Sequence, residues 1–110
     1  MNTLYFLTIT SCPSPEIAQS LAEACVKNKV AACVNILPAV QSIYQWQGKI
    51  ERDTEVLLFI KTVQSKLAAL QSFILKNHPY EIPEFIAIKI ESGSKDYLDW
   101  IQQSLHSGDI

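Results

Sequence analysis

The sequence predicts an α+β domain, and three observations predict it. Apolar residues fill 48 % of the 110 positions, enough for a packed core and, at this length, for one domain spanning 1–110. Short β-branched and aromatic runs alternate with stretches of helical spacing in the order β-α-β-β-α-β, with one more helix after them. The two middle runs are long and are joined by Gln47-Gly48, a pair suited to a tight reversal.

The first strand is Leu4-Tyr5-Phe6-Leu7-Thr8-Ile9, short and apolar. Ser11-Cys12-Pro13-Ser14-Pro15 breaks it. Ser14 suits an N-cap, Pro15 suits the first helical position, and Glu16 complements the helix dipole. Ile17, Leu21, Ala24 and Cys25 then keep helical spacing, giving a helix over 15–28. Residues 31–46 form a long strand in which Pro38 cannot donate to a ladder, so the strand must bulge or run along an edge there. Residues 49–62 form its partner, centred on Val56-Leu57-Leu58-Phe59-Ile60. Val63, Leu67, Leu70 and Ile74 set a second helix over 64–77, ended by Pro79. Ile86, Ile88 and Ile90 alternate with Lys89 in a strand over 85–91. Ser94 caps a last helix carrying Leu98, Ile101 and Leu105 on one face. Two right-handed crossovers then close a four-stranded antiparallel sheet with helices on one face, the ferredoxin-like arrangement with an added C-terminal helix and a long β2–β3 hairpin.

The formal charge is −2, Arg52 is the single arginine, and the lysines are scattered, so binding to a nucleic acid backbone is not expected. No run approaches the ~18–20 apolar residues of a membrane helix, and no positive region precedes the first apolar run, so neither a membrane span nor a secretory signal is expected. Cys12, Cys25 and Cys33 are unpaired by spacing; they fit reduced thiols of a cytoplasmic protein, two of them buried, with Cys33 in the core. With three glycines in the chain there is no glycine-rich phosphate loop, and no organic cofactor is predicted.

Crossover helices cover one face of such a sheet, and the opposite face should then be polar. The first and third strands are instead apolar on both sides. Covering about four such side chains would contribute roughly 6–12 kcal/mol, comparable to the stability of a whole small domain. The last helix is too short to cover this face and the overhanging hairpin as well. Ile43, Tyr44 and Trp46 near the hairpin tip would also stand exposed, so an oligomer is expected, with a tip folded back on its own domain as the alternative.

The runs Ala31-Ala32-Cys33-Val34-Asn35-Ile36-Leu37-Pro38, Ser42-Ile43-Tyr44-x-Trp46-x-Gly48-Lys49 and Glu55-Val56-Leu57-Leu58-x-Ile60-Lys61-Thr62 closely resemble the CutA divalent-cation tolerance proteins. His78-Pro79-Tyr80-Glu81-Ile82-Pro83-Glu84 and Asp96-Tyr97-Leu98-x-Trp100 continue the resemblance in order. It implies a homotrimer of ferredoxin-like subunits with an architecture like that of the PII signalling proteins. It also implies a role in tolerance of copper and other divalent ions, and no settled biochemical activity.

Within these motifs His78, Glu81 and Glu84 gather an imidazole and two carboxylates, donors that suit divalent transition metals such as copper. The same segment has a structural reading, since a histidine at a helix C-terminus meets exposed carbonyls and two prolines fix the turn. Cys12, in the loop before the first helix, is a further candidate ligand, because a thiol near a helix N-terminus can have a depressed pKa. Some members of the family carry a cysteine two places earlier, where this chain has Thr10, so Cys12 is not carried over. Tyr44, Trp46 and Lys49 are expected at the trimer interface, given the aromatic bias of interfaces; an aromatic ligand cage is the other reading. No nucleophile–base set is legible. Acylphosphatases of this fold need an arginine in the first loop, which here is Ser11 to Pro15, so an enzyme is not predicted. Small-molecule sensing of the PII kind and scaffolding are the alternatives to metal response.

Overall fold

Seven elements follow one another along residues 2–106, the part of the chain that the computed structural model describes. Residue 1 and residues 107–110 of the predicted domain lie outside the described residues. The order is β1 (Tyr5–Cys12), α1 (Pro15–Lys27), β2 (Cys33–Trp46), β3 (Lys49–Val63), α2 (Gln64–Asn77), β4 (Ile86–Lys89) and α3 (Lys95–His106). The strands form one antiparallel sheet in the order β2-β3-β1-β4, as the ferredoxin-like reading requires.

Local chemistry sets the element ends. Ser14 Oγ accepts from the Ile17 N–H at 3.2 Å and Pro15 opens α1. Lys29, at φ 57°, turns the chain out of α1. The Ala31 N–H still donates back to the Cys25 carbonyl and the Ala32 N–H is the first to reach Lys61 of β3, so β2 starts two residues later than predicted, at Cys33. Gln47 and Gly48 both have positive φ, 52° and 80°, the signature of a type I′ hairpin turn. The register of β2 against β3 slips between Leu37 and Val40, with Ala39 at φ 60° beside Pro38. Both options for Pro38 are therefore realised: a bulge, on an edge strand.

β1 and β4 also differ in extent from the sequence reading. β1 runs on to Cys12, because Thr10, Ser11 and Cys12 stay paired with Leu58, Leu57 and Val56. Small side chains let these polar residues enter the interior, so the strand continues past the point where its hydrophobicity ends. β4 is confined to Ile86–Lys89, the stretch that meets Phe6–Ile9 of β1.

The main core lies between the sheet and helices α1 and α2. It joins Cys12, Val56, Leu58 and Ile60 to Ala18, Leu21, Cys25, Leu70 and Ile74. α3 makes a second, smaller cluster, Ile101 and Leu105 against Ala32 and Val63. Strand alternation puts Val63 on the face opposite Ile60, so α3 covers one end of the face that α1 and α2 leave open. The rest of that face is apolar: Leu7 and Ile9 pair with Ile88 and Ile86, and Ile9 also pairs with Phe59. Ile86 and Ile88 are 49 % and 48 % exposed.

β1 ends opposite Val56, so residues 49–55 of β3 pair only with β2. This two-stranded arm makes the molecule long, 47 × 28 × 22 Å. Its radius of gyration, 14.9 Å, exceeds the ~13 Å of a compact chain of this size.

Candidate functional site

The site lies where β1 stops and the arm begins. Beyond Cys12 the edge of β3 is free, and the turn after α2 passes across that end of the sheet. Asp53 and Glu55, two apart on β3, share one side of the ribbon, and Ser42 and Tyr44 pair with Asp53 and Glu51. The turn brings Tyr80, Glu81 and Ile82 to them. Together with Ser11 and Trp46 these residues line a cleft of about 370 Å³.

His78 anchors the turn. Its Nε2 donates to the Ser11 carbonyl at 2.6 Å, and its Nδ1 accepts from the Tyr80 backbone N–H at 3.1 Å. A carbonyl can only accept and an amide N–H can only donate, so the proton sits on Nε2. The Tyr80 ring packs on the imidazole, centroids 4.8 Å apart. Its hydroxyl donates to Glu55 Oε2 at 2.6 Å. Across the cleft Tyr44 Oη donates to Asp53 Oδ2.

These contacts set the titration of the groups. Burial, then the hydrogen bond to Glu55, drives the Tyr80 phenol well above its ordinary value. The bond to Asp53 pushes the Tyr44 phenol up to about 12. Both phenols therefore stay protonated as donors. Burial, then Glu55, pushes the Cys12 thiol up to about 11, the reverse of the depression expected from a helix N-terminus. Cys12 is the last residue of β1 rather than part of a loop, and it is fully buried, so desolvation outweighs the dipole. Cys25 is likewise buried and raised to about 11, whereas Cys33, expected in the core, is half-buried.

The structure brings the predicted residues together only in part. Glu81 lines the cleft. Glu84 is exposed beyond it, Cys12 is buried outside its lining, and both His78 nitrogens face backbone groups. Among the described residues, no group of three or more His, Cys, Asp or Glu side chains is placed to hold a metal ion. Tyr44 and Trp46 line the cleft, while Lys49 is exposed at the hairpin turn. Sequence reasoning missed Ser11, Asp53 and Glu55. The i, i+2 spacing of the two carboxylates on a predicted strand was the available signal, since it sets both on one side. A larger groove of about 460 Å³ lies between α1 and α2, lined largely by apolar side chains such as Ile17, Leu21 and Phe73. It lacks the converging polar groups of the cleft.

Comparison with known proteins agrees with this architecture. Residues 6–104 match the family described as CutA1 divalent ion tolerance protein. Protein CutA of Mus musculus is 46 % identical over 97 residues, covering 88 % of this chain and 55 % of the mouse protein, so the chain spans about half the length of that relative. The divalent-cation tolerance protein CutA of Thermus thermophilus is 40 % identical over 98 residues, covering 89 % of this chain and 95 % of that protein. The crystal structure of CutA1 from Oryza sativa superposes with a TM-score of 0.91 at 39 % identity, covering 96 % of each chain. The periplasmic divalent cation tolerance protein CutA of Archaeoglobus fulgidus gives 0.90 at 37 % identity, over 93 % of this chain and 99 % of that one.

Proposed function

The chain belongs to the CutA1 divalent ion tolerance family, and from that premise we propose that it serves in the response to divalent cations as a non-catalytic homotrimer. The observation that carries this reading is the open apolar face continuing onto an unsupported arm. Leu7, Ile9, Phe59, Ile86 and Ile88 leave that face half covered, and Ile43 and Ile50 on the arm are 63 % and 59 % exposed. A lone two-stranded ribbon is marginal in water, so strands from neighbouring copies are its natural support. Tyr44, Trp46 and Lys49 lie on the arm that would make these contacts.

Divalent ions would meet the exposed carboxylates Glu81 and Glu84, with ligands completed by assembly or by water. Oxygen donors of this kind favour hard and borderline ions. His78 supports this site as a positioning residue. Capture of copper through Cys12 requires loss of a strongly held proton. The histidine faces backbone atoms rather than a hydroxyl or thiol, which supports a role without a nucleophile–base pair. The three free thiols suit the cytoplasm.

Light scattering, with calorimetric titration by Cu(II), Zn(II) and Ni(II), tests this reading. Three subunits per particle and metal binding weakened in the Glu81→Gln/Glu84→Gln variant are expected. A monomer, or titrations unchanged by the variant, would overturn it. A second reading, small-molecule sensing, is favoured by the open, aromatic-lined cleft.

A further inference from the structure

We infer that the cleft at the end of the sheet binds a small organic cation, an amine or amidine carried on an apolar body. This rests on the small-molecule reading of the cleft and names its ligand class. Asp53, Glu55 and Glu81 supply three carboxylates, and none of the lining residues is Lys, Arg or His. An anionic ligand, a nucleotide phosphate included, would enter against that charge.

The choice between a bare metal ion and an organic cation follows from the walls. Glu55 and Asp53 each have one oxygen committed to a phenol. Among the described residues no set of three ligands converges on a point. The cleft's volume of about 370 Å³ is far larger than an ion and lies within the ~300–1,000 Å³ of small-ligand pockets. In the single subunit Trp46 and Tyr44, which the proposed trimer contacts also draw on, offer ring surface, 46 % and 42 % exposed, and a cation over an aromatic face is attracted by its quadrupole.

An independent observation comes from Ser11. It is 4 % exposed and lines the cleft, yet among the described residues only its carbonyl, not its hydroxyl, takes part in a side-chain hydrogen bond. Among the described residues the two buried side-chain polar atoms without a partner are Thr10 Oγ1 and Gln102 Oε1, so the Ser11 hydroxyl opens on the cleft rather than being sealed from it. An N–H of the ligand would donate to that hydroxyl, with Glu81 taking the charge and Trp46 the apolar body.

Three probes of one shape and different charge test this on the assembled protein: benzamidine, benzamide and benzoate, by calorimetry. Emission is followed in a Trp100→Phe background, where Trp46 is the one remaining tryptophan. Benzamidine is expected to bind and shift Trp46 emission, with benzamide about tenfold weaker or worse and benzoate not binding. Glu81→Gln should weaken benzamidine about two- to fivefold, the size of an exposed charge pair. Equal binding of the three probes would overturn the cation preference while leaving a small-molecule site. Binding of none, with Zn(II) still bound, would overturn both readings. Benzamidine binding without a Trp46 response would put its site elsewhere and overturn the assignment.

Discussion

His78 acts on the molecule as a brace. It ties the turn after α2 to the end of β1, 67 positions away in the chain. His78→Ala should lower unfolding stability by about 1–3 kcal/mol, because a buried carbonyl loses its donor. Urea unfolding reads this, while metal stoichiometry should stay unchanged; a lost metal site with intact stability would make His78 a ligand instead. The two buried thiols give a pH signature. Cys12 and Cys25 titrate near 11 in the folded chain against an ordinary 9.0. The folded state holds these protons more tightly than the unfolded chain does, so their contribution is complete below pH 9 and is lost as pH rises towards 11. Urea midpoints across that range should fall, and less steeply in Cys12→Ala and Cys25→Ala; an unchanged slope in either variant would remove that thiol from the account. The sequence marked His78 and Cys12 as chemically able groups. What it could not carry was whether each faces a ligand, a backbone carbonyl or the core, because the deciding neighbours, Ser11 and Glu55, come from other strands.

At the level of elements, the hairpin depends on its turn. Gly48 has φ +80° and nothing within 4 Å of where a Cβ would sit. Gly48→Ala should therefore cost about 1 kcal/mol through backbone conformation alone, visible as a lower urea midpoint. No loss would mean that the arm frays at this end. Most elements were legible because their periodicity is local: α2 has its predicted bounds of 64–77, and Pro38 announced the bulge. The misjudged stretches are those where pairing overrides composition. Thr10 and Ser11 look like a loop and are strand, held by Leu58 and Leu57. Ile90 looks like strand and lies past the end of β4, although its N–H still donates to the Tyr5 carbonyl of β1 at 2.9 Å.

Across the whole molecule, the two faces of the sheet divide the work. One face, with α1 and α2, holds the main core that specifies the fold. The other is closed at one end by α3 and left apolar elsewhere, which is why strands that failed to alternate already pointed to an oligomer. The cleft sits at the boundary between sheet and arm, so it draws on β1, the hairpin and the turn after α2 together. No local pattern could have assembled it. The arm has one more consequence, for chains that have just been made and are still alone. Its β3 stretch, which has no partner on the β1 side, offers open backbone groups of the kind that seed amyloid-like stacking. That stretch, Lys49-Ile50-Glu51-Arg52-Asp53-Thr54-Glu55, carries a charge at most positions. Stacking identical copies in register would set like charges 4.7–4.8 Å apart, roughly the spacing of a fibril, so the edge that invites partners also carries its own gatekeepers against aggregation.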